Sequence, residues 1–225
     1  GSVSIDVGAS RVVMARLESP SLTVGDLKLQ TVVLDLPGTG RGVLSAEQFS
    51  MGKLRASGIR GDILWEDTTI VISPINASWI RGSAVGHAQI LTEEPFDYDL
   101  ELELQALDLE AFTEEMEIRN KVSVDGKIAG RVSLNGNRIG VRFLKGSFAS
   151  DGEGGNLVIR DPKWLRYLAR NTRQRLDLVE AAFKEYHFDT AAASMTASGK
   201  DLKIAIRMNG EKGRRDFEVN LHDQL

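Results

Sequence analysis

Hydrophobic and polar residues alternate along much of this chain, most regularly over residues 97–104 and 122–134. In the first stretch, Leu100, Leu102 and Leu104 alternate with acidic residues. Because successive side chains of a β-strand point to opposite faces, each stretch predicts a strand with one apolar and one polar face. The pattern therefore predicts a sheet with one apolar face that is shielded from water. It leaves open whether that side covers the protein's own core or something that the protein carries.

Short β-rich segments recur from one end of the chain to the other, and each is bounded by Gly, Pro, Asn or Asp. Their regular spacing favours a meandering antiparallel sheet over βαβ units. The sequence thus predicts a mainly β fold and a single extended domain over residues 1–225. The predicted strands cover residues 11–17, 27–36, 42–49, 61–65, 69–73, 77–81, 84–91, 96–104, 121–125, 129–134, 138–144, 146–150, 155–159, 193–198, 202–209 and 215–221.

Two segments depart from the alternation. Residues 109–116 predict a short helix with Asp108 as its N-cap. The second helix begins at Asp161-Pro162, an N-cap aspartate followed by proline at the first helical position, and is predicted to run to about residue 185. Its apolar residues recur at intervals of three and four, which is typical of a long amphipathic helix. A helix of this length has enough apolar surface to close an open sheet edge or one end of a groove. These residues are Trp164, Leu165, Leu168, Leu176, Val179 and Phe183.

Composition narrows the class of protein. Of the 225 residues, 42% are hydrophobic and 27% are charged, as in ordinary globular domains. The chain has no cysteine, which excludes disulfides, thiolate metal sites and a cysteine nucleophile. No apolar run approaches the roughly 18 residues that span a bilayer. Gly1-Ser2 is interpreted as a cloning remnant, and the chain as a piece excised from a larger protein.

The net charge of -4 is unevenly distributed. Residues 93–117 include eleven acidic residues and no Lys or Arg, whereas residues 160–175 include six basic residues and a single aspartate. Two solvated faces explain this pattern, and a basic helix that faces a membrane is the alternative. The negative net charge and the lack of a recognisable recognition module argue against nucleic-acid binding.

Catalytic chemistry finds little support in the sequence. The glycines around Gly38 and Gly42 resemble a phosphate loop, but such a loop must lead into a helix and here a strand is predicted. His87, His187 and His222 lack the spacing of three or four residues that places two metal ligands on one helix face. No serine in a strand-to-helix elbow accompanies them. We therefore predict a protein that is not an enzyme, with no cofactor and no metal site.

The order of these elements resembles the C-terminal part of the bacterial AsmA-like envelope proteins. The most similar branch is the YdbH-like one, whose terminal domain carries the label of dicarboxylate transport and whose family function is intermembrane phospholipid transport. The likeness covers most of the chain and rests on its paired strands, its linker and a glycine-flanked hairpin. The segments that carry it are residues 61–65, 70–79, 81–84, 107–112, 124–136 and 148–159, the long helix, and the closing strands 200–221.

This resemblance implies an elongated, curved antiparallel sheet that forms a trough. It implies a periplasmic protein whose full-length form is anchored in the inner membrane and which transfers phospholipid between the inner and outer membranes. Acyl chains would lie on the apolar floor, with envelope proteins as further partners. The alternative is a non-enzymatic periplasmic scaffold or partner-binding β domain, in which the same residues are ordinary core. The predicted floor residues are Ile70, Ile72, Leu100, Leu102, Leu104, Val122, Val124, Ile128, Val132 and Leu134.

Overall fold

The computed structural model describes residues 2–8, 11–24, 27–37, 40–51, 53–198 and 201–222, and 67% of the chain is in strands. Gly1 and the first two residues of the glycine-rich segment at 38–42 lie outside the described residues. The strands are β1 (Ser2–Gly8), β2 (Arg11–Val24), β3 (Leu27–Pro37), β4 (Arg41–Met51), β5 (Leu54–Glu66), β6 (Thr69–Trp79), β7 (Gly82–Leu91), β8 (Tyr98–Asp108), β9 (Val122–Val124), β10 (Lys127–Asn137), β11 (Gly140–Ser150), β12 (Gly155–Ile159), β13 (Tyr186–Phe188), β14 (Thr190–Ser198), β15 (Asp201–Asn209) and β16 (Arg215–His222). The helices are α1 (Leu109–Glu115), α2 (Pro162–Thr172) and α3 (Leu176–Phe183).

Thirteen of the described strands form one sheet in the order β1-β2-β3-β4-β5-β6-β7-β8-β10-β11-β14-β15-β16. Most neighbours in the sheet are also neighbours in the sequence, so hairpins build it step by step. The first and last of these strands do not pair with each other, and the sheet is open. The predicted mainly β class with a long antiparallel sheet is confirmed. A second sheet of three strands has the order β13-β12-β9.

The backbone divides into two compact units. Unit 1 comprises Gly1–Leu104 and Ser133–Arg142, and unit 2 comprises Gln105–Val132 and Phe143–Leu225. All three described helices and the three-stranded sheet fall in unit 2. Unit 1 is built from strands of the long sheet alone, as far as the structure describes it.

Several strands are longer than their sequence pattern indicates. The predicted strands 69–73 and 77–81 are the two halves of β6, which continues through Ser73-Pro74. The register between β6 and β7 shifts between Ile72 and Ile75, where β6 has an extra residue. A β-bulge of this kind places residues of odd spacing on the same face, which breaks the simple alternation. In the same way β11 covers the predicted strands 138–144 and 146–150.

The core of unit 2 lies between its helices and its strands. The predicted cap of α1 is confirmed, because the Asp108 carboxylate accepts a 2.9 Å hydrogen bond from the Ala111 amide. The small sheet and both later helices share one apolar cluster, against which Ile206 and Phe217 of the long sheet pack. The buried members of this cluster are Val122, Leu157, Ile159, Leu165, Leu168, Ala169, Val179, Phe183, Tyr186, Phe188 and Met208.

The prediction of one long helix over residues 162–185 is wrong. The start at Asp161-Pro162 is confirmed, since the Asp161 carboxylate accepts a 2.7 Å hydrogen bond from the Lys163 amide. The helix ends at Thr172 because Arg173 adopts a left-handed conformation, with φ 53°. The Gln174 amide then donates to the Ala169 carbonyl at 3.0 Å, which closes the helix end in the manner of a Schellman motif. Among the described residues, neither helix nor any other is long and apolar enough to cross a bilayer.

Candidate functional site

One face of the sheet in unit 1 is apolar across many strands. Residues paired across neighbouring antiparallel strands share a face, so the register identifies which side chains meet. Ile63 of β5 is paired with Ile72 of β6, and Ile70 of β6 is paired with Ile90 of β7. The face continues into β3 and β4 through paired leucines.

These side chains form one cluster that extends over six adjacent strands, β3 to β8. At about 4.8 Å between strands, its five strand spacings amount to roughly 24 Å. Its central members Ile63, Ile72 and Ala88 are buried. The partly buried members, which retain accessible surface, are Leu34, Leu36, Leu44, Ile70, Ile75, Ile90 and Leu100.

The opposite face of the same strands is mainly polar. On β5, Arg60 and Asp62 alternate with residues of the apolar face, such as Ile63, and are exposed. On β7 and β8, His87 Nε2 lies 3.9 Å from Glu101 Oε2, and both side chains are more than half exposed. The sheet of unit 1 therefore separates an apolar side from a solvated side. Within unit 1, no helix or second sheet is present among the described residues to cover the apolar side.

Two glycines leave gaps between the side chains of the apolar face. Ile75 of β6 is paired with Gly61 on one side and with Gly86 on the other. A Cβ at Gly61 would overlap the Ile72 side chain, and a Cβ at Gly86 would overlap the carbonyl oxygen of Glu101. The glycines therefore allow the backbone and side chains of neighbouring strands to approach closely. Because a glycine has no side chain, the larger side chains beside Gly61 and Gly86 project further from the sheet, and the apolar face is uneven.

No family model, curated protein or solved structure matches this chain. The function of the apolar face is therefore inferred from its own geometry and from the sequence.

The predicted floor residues fall in two different surroundings. Ile70, Ile72 and Leu100 meet in the cluster of unit 1. Leu102 and Leu104 follow on the same face of β8, where Leu102 is partly buried and Leu104 is 0% exposed.

The other predicted floor residues lie further along the chain. Leu134 belongs to the part of β10 in unit 1, while Ile128 and Val132 belong to its part in unit 2, and all three are partly buried. Val122 and Val124 lie on β9 in the three-stranded sheet and contact the core of unit 2. They therefore belong to a different sheet from the other floor residues.

The predicted helix residues also divide into two groups. Leu165, Leu168, Val179 and Phe183 are buried in the core of unit 2. Trp164 and Leu176 are 43% and 36% exposed. The break at Arg173 explains part of this result, because it changes the direction of the chain between the two helical segments.

Seven members of the apolar cluster were not found from the sequence. The signal lay in cross-strand pairing, which only the register reveals, and the bulges in β5 and β6 interrupt the alternation that would have pointed to it. These residues are Leu34, Leu36, Leu44, Ile63, Ile75, Ala88 and Ile90.

Polar groups elsewhere form no comparable site. The described residues include no group of three or more His, Asp or Glu side chains that could hold a metal ion. His187 Nε2 lies 3.7 Å from Asp189 Oδ1 at an exposed position. In the core of unit 2, the Tyr186 hydroxyl donates a 2.6 Å hydrogen bond to the Gly213 carbonyl, and burial raises the pKa of Tyr186. The side chain of His222 lies outside the described residues.

Proposed function

We propose that this chain is a lipid-transfer module of the bacterial cell envelope, and that the apolar face of unit 1 carries phospholipid acyl chains. The observation that carries the proposal is the one-sided sheet: an apolar cluster across six strands, with no second layer among the described residues of unit 1. An apolar surface of this extent is the usual mark of a site for a lipid, a membrane or a partner.

The energetics suit a reversible carrier. Each methylene transferred from water to an apolar surface contributes about 0.8 kcal/mol, so a dozen methylenes contribute roughly 10 kcal/mol before the costs of binding. Those costs are several kcal/mol for lost translational and rotational freedom, and more for ordering the chain. The remaining affinity needs no polar recognition of the headgroup. A carrier of this kind can accept different phospholipids and release them again.

The resemblance to the AsmA-like envelope proteins supports the same function. It adds an elongated trough, a periplasmic location, an inner-membrane anchor in the full-length protein, and transfer between the inner and outer membranes. In unit 2, the core that includes α2 and α3 also contains Met208, and Ile206 and Phe217 pack against it near the turn that joins β15 and β16. That these helices close one end of a groove stays a prediction from the sequence.

A second candidate is a non-enzymatic scaffold or partner-binding domain. It is favoured by exposed apolar side chains in the turns of unit 1. Ile139, in the turn between β10 and β11, is 89% exposed, and Phe96, before β8, is 37% exposed. Side chains of this kind suit contacts with another protein.

Photocrosslinking from two neighbouring positions tests the carrier function. A benzophenone amino acid replaces Leu100, on the apolar face of β8, or Glu101, on its polar face. The protein is isolated from a bacterial envelope, irradiated and examined by mass spectrometry for phospholipid adducts. We expect adducts at position 100 and few at position 101, because the two side chains point to opposite faces. Organic extraction of the unmodified protein should yield co-purified phospholipid.

Two results would overturn the proposal. One is the absence of phospholipid from the extract together with the absence of adducts at position 100. The other is equal crosslinking from Leu100 and Glu101, which would indicate nonspecific adsorption. Protein adducts at positions 96 and 139, with no lipid adducts at position 100, would favour the scaffold.

A further inference from the structure

The outward face of α2 carries cationic and aromatic side chains in two adjacent rows. Lys163, Arg166 and Arg170 are spaced by three and four residues, which places them on one line along the helix. Trp164 and Tyr167 are spaced by three residues and form the neighbouring line. All five side chains are exposed, and Trp164 and Tyr167 retain 43% and 41% of their accessible surface.

The positive charge continues beyond the helix. Lys121 and Arg160 join Lys163, Trp164 and Arg166 around an open depression of about 570 Å³ at the start of α2. The depression has a single carboxylate in its lining, which caps the first turn of the helix by accepting a backbone amide hydrogen bond.

Four cations of this surface are available to an external anion. Among the described residues, Lys121, Lys163, Arg166 and Arg170 have no ion pair. This contrasts with Arg175, before α3, whose guanidinium lies 2.7 Å from the Asp177 carboxylate. A cluster of unpaired cations beside exposed aromatic rings thus stands on one side of unit 2.

We propose that this surface, formed by Lys121, Arg160, Lys163, Trp164, Arg166, Tyr167 and Arg170, docks on a bilayer that contains anionic phospholipid. Lipid phosphates match the cationic row by charge. Trp and Tyr rings are amphipathic and lie at the headgroup level of a bilayer, which matches the aromatic row. A helix that lies in the membrane interface combines these two kinds of side chain.

A polyanion such as nucleic acid fits this surface less well. Nucleic acid would engage the cationic row, but it lacks the polar–apolar boundary that Trp and Tyr rings occupy in a bilayer. A bilayer uses both rows over a small area. The inference does not depend on the carrier function, because the surface lies in unit 2 and its test measures attachment to a bilayer.

Vesicle binding of the whole chain tests the proposal. Co-sedimentation is compared for vesicles of phosphatidylcholine alone and for vesicles that also contain phosphatidylglycerol. We expect binding to the anionic vesicles and weak binding to the neutral ones. Each cation near an anionic surface contributes about a factor of five to the partition coefficient, so the triple variant K163Q/R166Q/R170Q should lose roughly 100-fold. Raising the salt concentration should weaken binding of the wild type.

Matched variants separate the surface from general electrostatics. The control K127Q/K145Q/R60Q removes the same number of charges from exposed strand positions and should retain most of the binding. Trp164→Phe should remove the part of the tryptophan blue shift that anionic vesicles induce and neutral vesicles do not, since the other two tryptophans, Trp65 and Trp79, lie in unit 1. Circular dichroism confirms that each variant is folded.

Several outcomes would overturn the inference. These are equal binding of the wild type to neutral and anionic vesicles, no binding to either, or equal losses in the triple variant and its control. Binding to single-stranded DNA as tight as binding to anionic vesicles would indicate a general polyanion surface instead. Lipid adducts at position 100 in a triple variant that no longer binds vesicles would show that lipid carrying does not require bilayer docking. The two proposals can therefore be refuted independently.

Discussion

Replacing two leucines on the same face of β8 measures whether the apolar face of unit 1 is open. Leu100→Ala and Leu104→Ala remove the same atoms, and the two positions are four residues apart in the same unit. Leu104 is 0% exposed, whereas Leu100 is partly buried at the edge of the apolar cluster. The pair therefore differs in enclosure and in little else.

The expected losses of unfolding free energy follow from this difference. At Leu104, the lost transfer energy and the enclosed cavity together cost about 3 to 4 kcal/mol, within the usual range for a buried Leu→Ala change. At Leu100, about three carbons at roughly 0.8 kcal/mol each, reduced for partial exposure, cost about 1.5 kcal/mol. No enclosed cavity forms there, because solvent can reach the site. The two variants should differ by about 2 kcal/mol.

Urea denaturation followed by circular dichroism provides the measurement. The protein is first stripped of lipid, because a ligand bound to the native state adds its own stabilisation. Both variants should keep the wild-type slope m and shift only the midpoint. Val85→Ala, on the outward face of β7 where the side chain is 38% exposed, is the control and should cost less than about 1 kcal/mol.

Equal losses of 3 kcal/mol or more for Leu100→Ala and Leu104→Ala would refute the reasoning. Leu100 would then lie in an enclosed, dry core, and the face would have no room for an acyl chain. The scaffold would become the better proposal.

Three further changes test other parts of the fold. Gly86→Ala should cost about 1 to 3 kcal/mol in urea denaturation, because its Cβ would overlap the Glu101 carbonyl oxygen, and an unchanged midpoint would contradict this geometry. Tyr186→Phe should cost about 1 to 2 kcal/mol at neutral pH, since the Gly213 carbonyl loses its donor. Because burial raises the pKa of Tyr186, the wild type should keep this stability below pH ~10 and lose it as the pH rises through the folded-state pKa, a slope that the phenylalanine variant should lack. Arg173→Gly should stabilise the protein by about 0.5 to 1 kcal/mol, because glycine adopts the left-handed conformation readily, whereas in a continuous helix it would destabilise by about 1 kcal/mol.

Local signals in the sequence predicted local structure well. The alternation of Leu100 and Leu102 with acidic residues identified β8 and its two faces, since period two is a property of the strand itself. Asp108 and Asp161 identified the starts of two helices, because a capping side chain acts within three residues.

The helix break lay beyond these signals. Arg173 has an ordinary helix propensity. The left-handed position that ends α2 is usually occupied by glycine, and here it is occupied by arginine, so the sequence does not indicate the helix end. The apolar residues on both sides of it pack in the same core, so their spacing continued to indicate one helix. Tertiary packing decides the direction of the chain at this point, and packing cannot be read from spacing.

Alternation also fails to specify what lies above an apolar face, and the two units demonstrate why. In unit 1, Ile72 and Leu100 face a side that has no second layer among the described residues of that unit. In unit 2, Ile206 and Phe217 occupy equivalent alternating positions on β15 and β16, yet they pack against a core supplied by the helices and the small sheet. The covering layer of unit 2 comes from segments that are distant in sequence from the strands they cover. The sequence of the strands therefore does not indicate that the layer is present. In the proposed function, an acyl chain binds where that layer is missing, so replacing Val122, which lies inside the layer, should affect stability rather than lipid binding.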